Sequence, residues 1–203
     1  MIRLLASAAC AAAILSAASP AAGDEERFSL TLRGAAFDRD DTGYADHAQV
    51  FGLGSPEVGG GGVVEAGVRV LPRLWLVGSW SAFATLGKRR LDALRVANHA
   101  LLLQLAVTAA RVDIDLQGEP TWLRLDLMGG GGLYWISDEL DGEEQNASAP
   151  GARVGAQVSY GWRALGLSLS YGWHMSRARL EDRLGGALRA GGHELGAGLS
   201  LRW

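Results

Sequence analysis

The amino-acid sequence predicts an all-β chain: an eight-stranded antiparallel up-and-down transmembrane β-barrel, preceded by a cleaved signal peptide. Three observations support this prediction. The chain begins with an export signal, it ends on an alternating segment closed by an aromatic residue, and the part between them holds short alternating segments without any apolar run near 18 residues. Glycine supplies 29 of the 203 residues, which is about twice its usual share.

The last segment, residues 193–203, alternates strictly between two faces. One face carries apolar side chains and ends on Trp203, whereas the other carries Glu194, glycines, Ser200 and Arg202. Eleven residues at about 3.3 Å each, tilted by about 40°, span roughly 28 Å along a membrane normal. That length is enough to cross the apolar band of a membrane barrel.

The first 23 residues read as a secretory signal peptide. Arg3 precedes an apolar stretch over 4–18, and small residues follow. Cleavage after Ala21 and cleavage after Gly23 both fit, so residues 1–23 are predicted to be the signal and 24–203 the barrel. The single cysteine, Cys10, lies inside the signal, so we expect no disulfide and no thiolate metal site in the mature chain.

The charge balance argues against a nucleic-acid partner. The chain has 19 basic and 22 acidic residues, a net charge of −3. Removal of Arg3 with the signal makes that −4 (18 against 22), which is too small a bias to indicate nucleic acid.

Alternation and turn residues divide the mature chain into eight predicted strands. They are 26–37, 63–71, 74–86, 94–113, 121–136, 152–163, 166–180 and 193–203. Residues 94–113 are rich in helix formers, so an amphipathic helix is the alternative there. We favour a strand because it makes the total even.

The predicted connections alternate between long and short. Four loops of about 25, 7, 14 and 12 residues (38–62, 87–93, 137–150 and 181–192) alternate with connections of about two, seven and two residues at 72–73, 114–120 and 164–165. The first loop includes four consecutive glycines, and the third is strongly acidic. Long loops on one side and short turns on the other are typical of barrels in a bacterial outer membrane.

An eight-stranded barrel leaves only enough interior for side chains to fill. The predicted inward residues carry both charges, so we expect a buried hydrogen-bonded network rather than an open pore. They are Arg33, Glu65, Arg69, Gln104, Arg124, Asp126, Arg153, Gln157, Arg163, His174, Glu194 and Arg202.

Aromatic residues near strand ends are predicted to form two interfacial girdles. Trp162 and Trp203 are assigned to the side of the short turns. The side of the long loops is assigned Tyr134, Trp135, Tyr171 and Trp173.

With its terminal alternating strand, the mature chain resembles the small bacterial outer-membrane β-barrels of the OmpA/OmpX type. The resemblance implies a monomer in the outer membrane of a Gram-negative bacterium, in contact with outer-membrane lipid. In that family the last strand is read by the barrel assembly machinery. This role would fall on Leu199, Leu201 and Trp203.

One motif points to possible chemistry. His174 and Ser176 are two residues apart, which resembles the lipid A deacylases of the PagL type, where such a pair acts with an acidic residue. That acid would be Glu181 or Asp182. Arg177 departs from the family pattern, and the alternation turns both side chains into the lumen, away from lipid.

Two further patterns are weaker. The acidic stretch Asp138, Glu139, Asp141, Glu143 and Glu144 has oxygen ligands suited to Ca²⁺ but not the spacing of a calcium loop. The glycine run 129–132 opens no helix and carries no lysine, so it indicates close packing or a bend rather than a phosphate site.

Three functions follow in order of preference. The first is a non-enzymatic structural or surface barrel whose loops meet an unknown extracellular partner, without a cofactor. The second is a lipid A-modifying esterase that uses His174 and Ser176. The third is passage or binding of a small solute.

Overall fold

The computed structural model describes residues 26–39, 58–88, 93–116, 119–140, 142–181 and 187–203. Both the predicted signal peptide and most of the predicted first loop lie outside these ranges. In the described ranges, no helix has the length and apolar character needed to cross a membrane.

Eight antiparallel strands close into a ring, and two further strands form a small separate hairpin. The ring consists of β1 Phe28–Arg39, β2 Val58–Leu71, β3 Leu74–Lys88, β4 Ala93–Leu116, β5 Glu119–Leu140, β6 Glu143–Trp162, β7 Leu165–Ser176 and β10 Gly192–Arg202. The hairpin consists of β8 Arg179–Glu181 and β9 Ala187–Arg189. The predicted eight-stranded up-and-down barrel is therefore confirmed, and the segment predicted at 94–113 is a strand.

From β1 to β7 each strand pairs with the next one along the chain, β7 pairs with β10 across the β8–β9 segment, and β1 pairs with β10 to close the ring. The two ends of the ring differ. At one end, which we call the turn end, the connections are the two-residue stretches 72–73, 117–118 and 163–164, and the described residues Glu26 and Trp203 lie there. The opposite end, the loop end, holds the connections 40–57, 89–92, 141–142 and 177–191, which range from two residues to eighteen.

The register around the ring fixes the strand tilt. Following paired residues from Phe28 through all eight strands leads back to β1 at Asp38, ten residues further along. For eight strands, such a stagger corresponds to a tilt of about 40° from the barrel axis. Side chains at one level of the interior therefore come from different heights along their strands.

Alternation sorts the side chains between the two faces of the wall. The outward face of β4 carries Leu101, Leu103, Leu105 and Val107, all about half exposed, and the inward face carries Gln104 and its neighbours, all buried. The same division holds along β1, β6, β7 and β10. An apolar exterior around a polar interior is the reverse of a water-soluble barrel.

Strands extend into both ends of the predicted first loop and through the predicted third loop. Gly59 to Gly62 lie in β2 and pair with β1, although the glycine run reads as a turn. The acidic stretch 137–150 forms the ends of β5 and β6, which pair as far as Leu140 and Glu143. Likewise, the connector predicted at 114–120 shrinks to 117–118.

The loop end is closed by apolar packing. Predicted strand seven breaks after Ser176, and the β8–β9 hairpin that follows turns inward. Leu180 and Leu188 of this hairpin are buried in a cluster with Val96, Tyr134 and Ile136 of the inner wall. Asn98 fixes the hairpin by donating from Nδ2 to the carbonyl of Ala190 at 2.9 Å. The hairpin therefore caps the interior.

Candidate functional site

A hydrogen-bonded group of side chains fills the middle of the barrel, and we call it the central network. Every strand of the ring contributes at least one member, because the inward residue of each strand meets the others across the narrow interior. The members, in strand order, are Arg33, Glu65, Ser79, Gln104, Tyr134, Arg153, Gln157, His174 and Glu194.

Arg33 joins three strands on one side of the network. Its guanidinium donates to both carboxylate oxygens of Glu65, and Nη1 also donates to Oε1 of Gln157 at 2.7 Å. The Arg33 and Glu65 side chains are almost completely buried. A two-pronged pair of this kind holds both groups in one orientation.

Arg153 joins the opposite side. Nη2 donates to Oε1 of Glu194 at 2.8 Å, and Nη1 donates to Oε1 of Gln104 at 3.1 Å. Nη1 also lies 3.5 Å from Oε1 of Glu65, which links the two arginines through a shared carboxylate. Two arginines and two glutamates balance in charge, which offsets part of the cost of burying them.

Tyr134, His174 and Glu194 form a chain at the loop-end side of the network. Nε2 of His174 lies 2.9 Å from Oε2 of Glu194 and must carry the proton, since a carboxylate only accepts. The hydroxyl of Tyr134 lies within hydrogen-bond distance of both Nδ1 of His174, at 3.1 Å, and the carbonyl of Ala152, at 3.0 Å. Both nitrogens of the ring are thus engaged.

A second charged group lies nearer the turn end. Arg124 and Arg202 both bond to Asp126, and Thr108 donates to the same carboxylate at 2.9 Å. The two guanidinium groups stack over tryptophan rings, with Arg124 4.8 Å from Trp75 and Arg202 4.9 Å from Trp122. An apolar layer of Trp75, Val77, Ala106 and Met128 lies beside this group.

Most predicted inward residues lie inside the barrel, but the predicted positions of Arg163 and of the girdle residue Tyr134 are wrong. Arg163 is in the β6–β7 turn, with its side chain 63% exposed, because the strand ends one residue earlier at Trp162. Tyr134, assigned to the outer girdle, is fully buried in the central network. Arg69 shares the face of Glu65 and is partly exposed.

The sequence reasoning missed several interior residues. Ser79, Tyr134 and Thr108 hold positions in the polar groups, and Trp75 and Trp122 stack on the arginines. The signal was available for Trp122 and Tyr134, since both are in phase with Arg124 and Asp126 on β5.

His174 and Ser176 do not form a base and nucleophile pair in the described structure. The His174 nitrogens contact Tyr134 and Glu194, and the Ser176 hydroxyl accepts the backbone N–H of Ala178 at 3.1 Å. His174 is buried, and its ring packs edge-on against Phe37 and Phe83. The side chain of Glu181 is outside the described part.

The acidic stretch does not gather into a metal site within the described residues. No three His, Cys, Asp or Glu side chains there are close enough to hold a metal ion. Asp138 points into the barrel and is buried, whereas Glu143 and Glu144 are exposed at the strand ends. Asp141 lies outside the described residues.

Glycines 130 and 132 of the predicted packing run face inward. An added Cβ at either position would overlap the backbone of the adjoining strand β4. At this part of the run, glycine permits close approach of two strands rather than a phosphate-binding turn.

Aromatic residues ring the outward face at two levels. Trp162, Trp203 and Phe28 are near the turn end, where the Phe28 and Trp203 rings are 6.2 Å apart. Toward the loop end, His99 stacks on Trp80 and His193 stacks on Trp173. The outward apolar residues lie mainly between these levels.

An apolar exterior between two aromatic belts, a side-chain-filled interior and two-residue turns at one end define a class of protein. The chain has the fold of the small eight-stranded outer-membrane β-barrels. Neither a protein-family model nor a curated protein sequence matches the chain.

Solved structures of this class superpose on nearly the whole chain. Neisserial surface protein A is 16% identical, with a TM-score of 0.54 over 89% of this chain and 100% of its own. The attachment invasion locus protein Ail of Yersinia pestis, solved with the heparin analogue sucrose octasulfate, is 13% identical. Its TM-score is 0.53 over 88% of this chain and 100% of its own. At these identities the likeness concerns the fold.

Proposed function

We propose that this chain is a non-enzymatic outer-membrane protein of a Gram-negative bacterium, exported by residues 1–23, whose closed barrel anchors a surface for contact outside the cell. The apolar exterior supports a lipid environment, because water-exposed walls would not carry so many aliphatic residues. With both termini in the periplasm, the turn end faces the periplasm and the loop end faces outward.

The main support for a non-enzymatic role is the central network. It bonds side chains from all eight strands across the interior, and the β8–β9 hairpin caps the interior above it. A path for solute would have to break several buried charge pairs, each costly to separate. These features favour a structural or surface role over passage.

Fractionation tests the location. The protein should sediment with outer membranes, and it should change its gel position on boiling, since a closed ladder of backbone hydrogen bonds resists detergent. Recovery in the soluble periplasmic fraction without a heat-dependent shift would contradict the proposal.

Two measurements test the role. Purified barrel in a planar bilayer should give no steady conductance steps, and lipid A from producing cells should keep all its acyl chains by mass spectrometry. Loss of an acyl chain that disappears in Ser176→Ala would establish the esterase instead. Ordered conductance steps would establish solute passage.

The C-terminal strand is proposed to be the segment read by the assembly machinery. Leu199 and Leu201 face outward on β10, and Trp203 follows as the last residue. The backbone carbonyl of Trp203 accepts the N–H groups of Arg27 and Phe28 at 2.7 and 2.8 Å. The same residues thus serve closure of the ring. The protein is proposed to work as a monomer whose extracellular partner binds the loop end.

A further inference from the structure

A short motif in β6 has no part in the barrel interior. Residues 144–148 read Glu-Gln-Asn-Ala-Ser, which contains Asn-x-Ser, the acceptor sequence for N-linked oligosaccharides in exported proteins. The chain has two asparagines, and Asn146 fits this acceptor sequence whereas Asn98 does not. Glu144, two residues before Asn146, adds the carboxylate that bacterial oligosaccharyltransferases favour at that position.

Alternation along β6 presents the whole acceptor sequence on the outer side of the wall. Glu144, Asn146 and Ser148 face outward, and all three are exposed. Ala147 between them is half-buried and packs against the buried cluster at the β8–β9 cap. The inward side chain thus anchors the strand, and the amide, the hydroxyl and the carboxylate share its solvent side.

The two asparagines of the chain differ in what their side chains do. Asn98 faces inward and fixes the cap by donating to the carbonyl of Ala190. Within the described residues, the side chain of Asn146 makes no hydrogen bond. Asparagine is depleted in strands, because its side chain competes for backbone hydrogen bonds. The fold therefore gives no reason for an asparagine at position 146.

The acceptor lies outside the lipid. Trp162 and Trp173 are roughly 23 Å apart along the barrel axis for strands tilted near 40°, which matches an apolar band of about 25 Å. Asn146 is eight residues along β6 from Val154, the partner of Trp173, and lies roughly 17 Å above Trp173. Headgroups occupy only about 5–8 Å on each side. The Asn146 amide is therefore surrounded by water.

The surface beside Asn146 has room for a sugar. Asn146 pairs with Ser137 of β5, which in turn pairs with Ala97 of β4, and both of these side chains are small. Trp135 faces the same way, is 36% exposed, and lies roughly 9 Å above Trp173, beyond the reach of lipid tails. It is a diagonal neighbour of Asn146, about 7–8 Å away. A first sugar on Asn146 can thus pack its C–H face on the indole.

We propose that Asn146 carries an N-linked oligosaccharide on the outer surface of the cell. This rests on the proposed export and orientation of the barrel. The donor is an oligosaccharide held on a polyprenyl pyrophosphate, and an oligosaccharyltransferase in the periplasm transfers it. The amide nitrogen attacks C1 of the first sugar and forms a C–N bond. The C–O bond to the pyrophosphate breaks, the lipid pyrophosphate leaves with the bonding electrons, and the amide releases one proton to water.

The transfer has to precede pairing of β6 with β5. In the barrel, Asn146 and Ser148 are paired with Ser137 and Trp135, which fixes the segment as an extended strand. A paired strand cannot bend into the active site of a transferase. The exported chain is unpaired while it crosses the periplasm, so the acceptor is accessible at that stage.

Mass spectrometry of the full-length protein, purified from outer membranes of the organism that makes it, tests the attachment. The peptide that contains Asn146 should be heavier by the mass of one oligosaccharide. The peptide that contains Asn98 should have its unmodified mass and serves as the internal control. An unmodified Asn146 peptide, or the same added mass in Asn146→Gln, would overturn the proposal.

Variants test whether the acceptor sequence is what the transferase reads. The protein is produced in a bacterium that lacks a transferase of its own, with and without a bacterial oligosaccharyltransferase and its polyprenyl-linked oligosaccharide. Ser148→Ala should abolish the added mass, and Ser148→Thr should keep it, because the hydroxyl is part of the acceptor. Glu144→Gln keeps the size of the side chain without its charge and should lower the modified fraction. Full modification of Ser148→Ala would contradict the assignment.

A lectin or antibody against the same oligosaccharide tests its location. Intact cells should be labelled, and cells that produce Asn146→Gln should not be, although that variant still sediments with outer membranes. Fractionation and the heat-dependent gel shift do not depend on the sugar. A barrel that passes both tests without added mass therefore disproves this inference alone. A modified chain recovered as a soluble periplasmic protein contradicts the proposed function instead.

Discussion

The two faces of the barrel wall are built from alternate residues of the same strands, yet they depend on different physics. Leu103 and Gln104 are neighbours on β4: one is 59% exposed on the outer face, and the other is buried in the central network. Apolar contact on the outside is non-directional, so many side chains serve equally well. The inside relies on charge pairs whose geometry matters. Tolerance to substitution should therefore differ sharply between faces.

The largest effect is expected where one charge of the central network is removed. Arg153→Ala leaves Glu194 without its guanidinium partner inside the barrel and should lower the free energy of unfolding by about 3–5 kcal/mol. Urea titration of the heat-dependent gel shift measures it. The matched control Arg163→Ala removes an exposed arginine in the β6–β7 turn and should cost at most about 1 kcal/mol. Equal losses would refute the contrast.

A charge on the lipid face should come next. Leu103→Arg, midway along the outward face, is expected to cost about 2–4 kcal/mol, because the guanidinium must lie near the bilayer centre. Ile114→Arg, near the turn end of the same strand and past its register shift between Thr108 and Ala110, should cost only about 0–1 kcal/mol. Unfolding in lipid vesicles of defined thickness gives both values. A similar cost at the two positions would mean that lipid also covers position 114 at the turn end of β4.

Replacing one glycine on each face by alanine compares the packing of the two faces without introducing or removing a charged side chain. A Cβ at Gly172 would lie 2.6 Å from Nε of Arg153, which the network holds in place, so Gly172→Ala should cost about 1–3 kcal/mol. A Cβ at Gly34, on the outer face, meets nothing within 4 Å, and Gly34→Ala should change stability by less than about 0.5 kcal/mol. Thermal unfolding of the pair measures the difference. The reverse order would show that the interior is loosely packed.

The smallest change in stability is expected at the chain end. Trp203→Asp places a charge at the turn-end interface and should cost about 0–1 kcal/mol in the folded barrel. If the assembly machinery reads this strand, the variant should nevertheless accumulate in the periplasm, as judged by fractionation and immunoblot. Normal insertion of the variant would remove that role, and Trp203→Phe serves as the conservative control.

Alternation made the membrane-crossing part of the barrel predictable from sequence. Residues that face lipid must be apolar while their neighbours need not be, so β6, β7 and β10 show their two faces directly. The same pattern placed Arg33, Glu65 and Glu194 on inward faces. Which of them would bond was not predictable, since partners such as Arg33 and Gln157 are far apart in sequence.

The alternation of apolar and polar residues did not predict the strands where they extend beyond the lipid. Above the aromatic belt the outward residues of β6, such as Asn146 and Ser148, no longer need to be apolar, so the acidic stretch reads as a loop. The prediction of a loop at residues 59–62 failed for another reason, because pairing with β1 and β3 overrides the weak strand preference of glycine. Arg163 was misplaced by one residue at a strand end, the least certain point of any periodic pattern.

The seam between β1 and β10 also sets the order in which the molecule can be completed. The other pairings join strands that follow one another along the chain, with only the short β8–β9 hairpin inserted between β7 and β10, so they can form from local contacts. The seam joins the first and the last strand of the ring, and the carbonyl of Trp203 accepts hydrogen bonds from the N–H groups of Arg27 and Phe28. A growing chain, or one that lacks β10, is thus an open sheet whose two edges carry unpaired backbone N–H and C=O groups. The ring can close only after β10 has been synthesised.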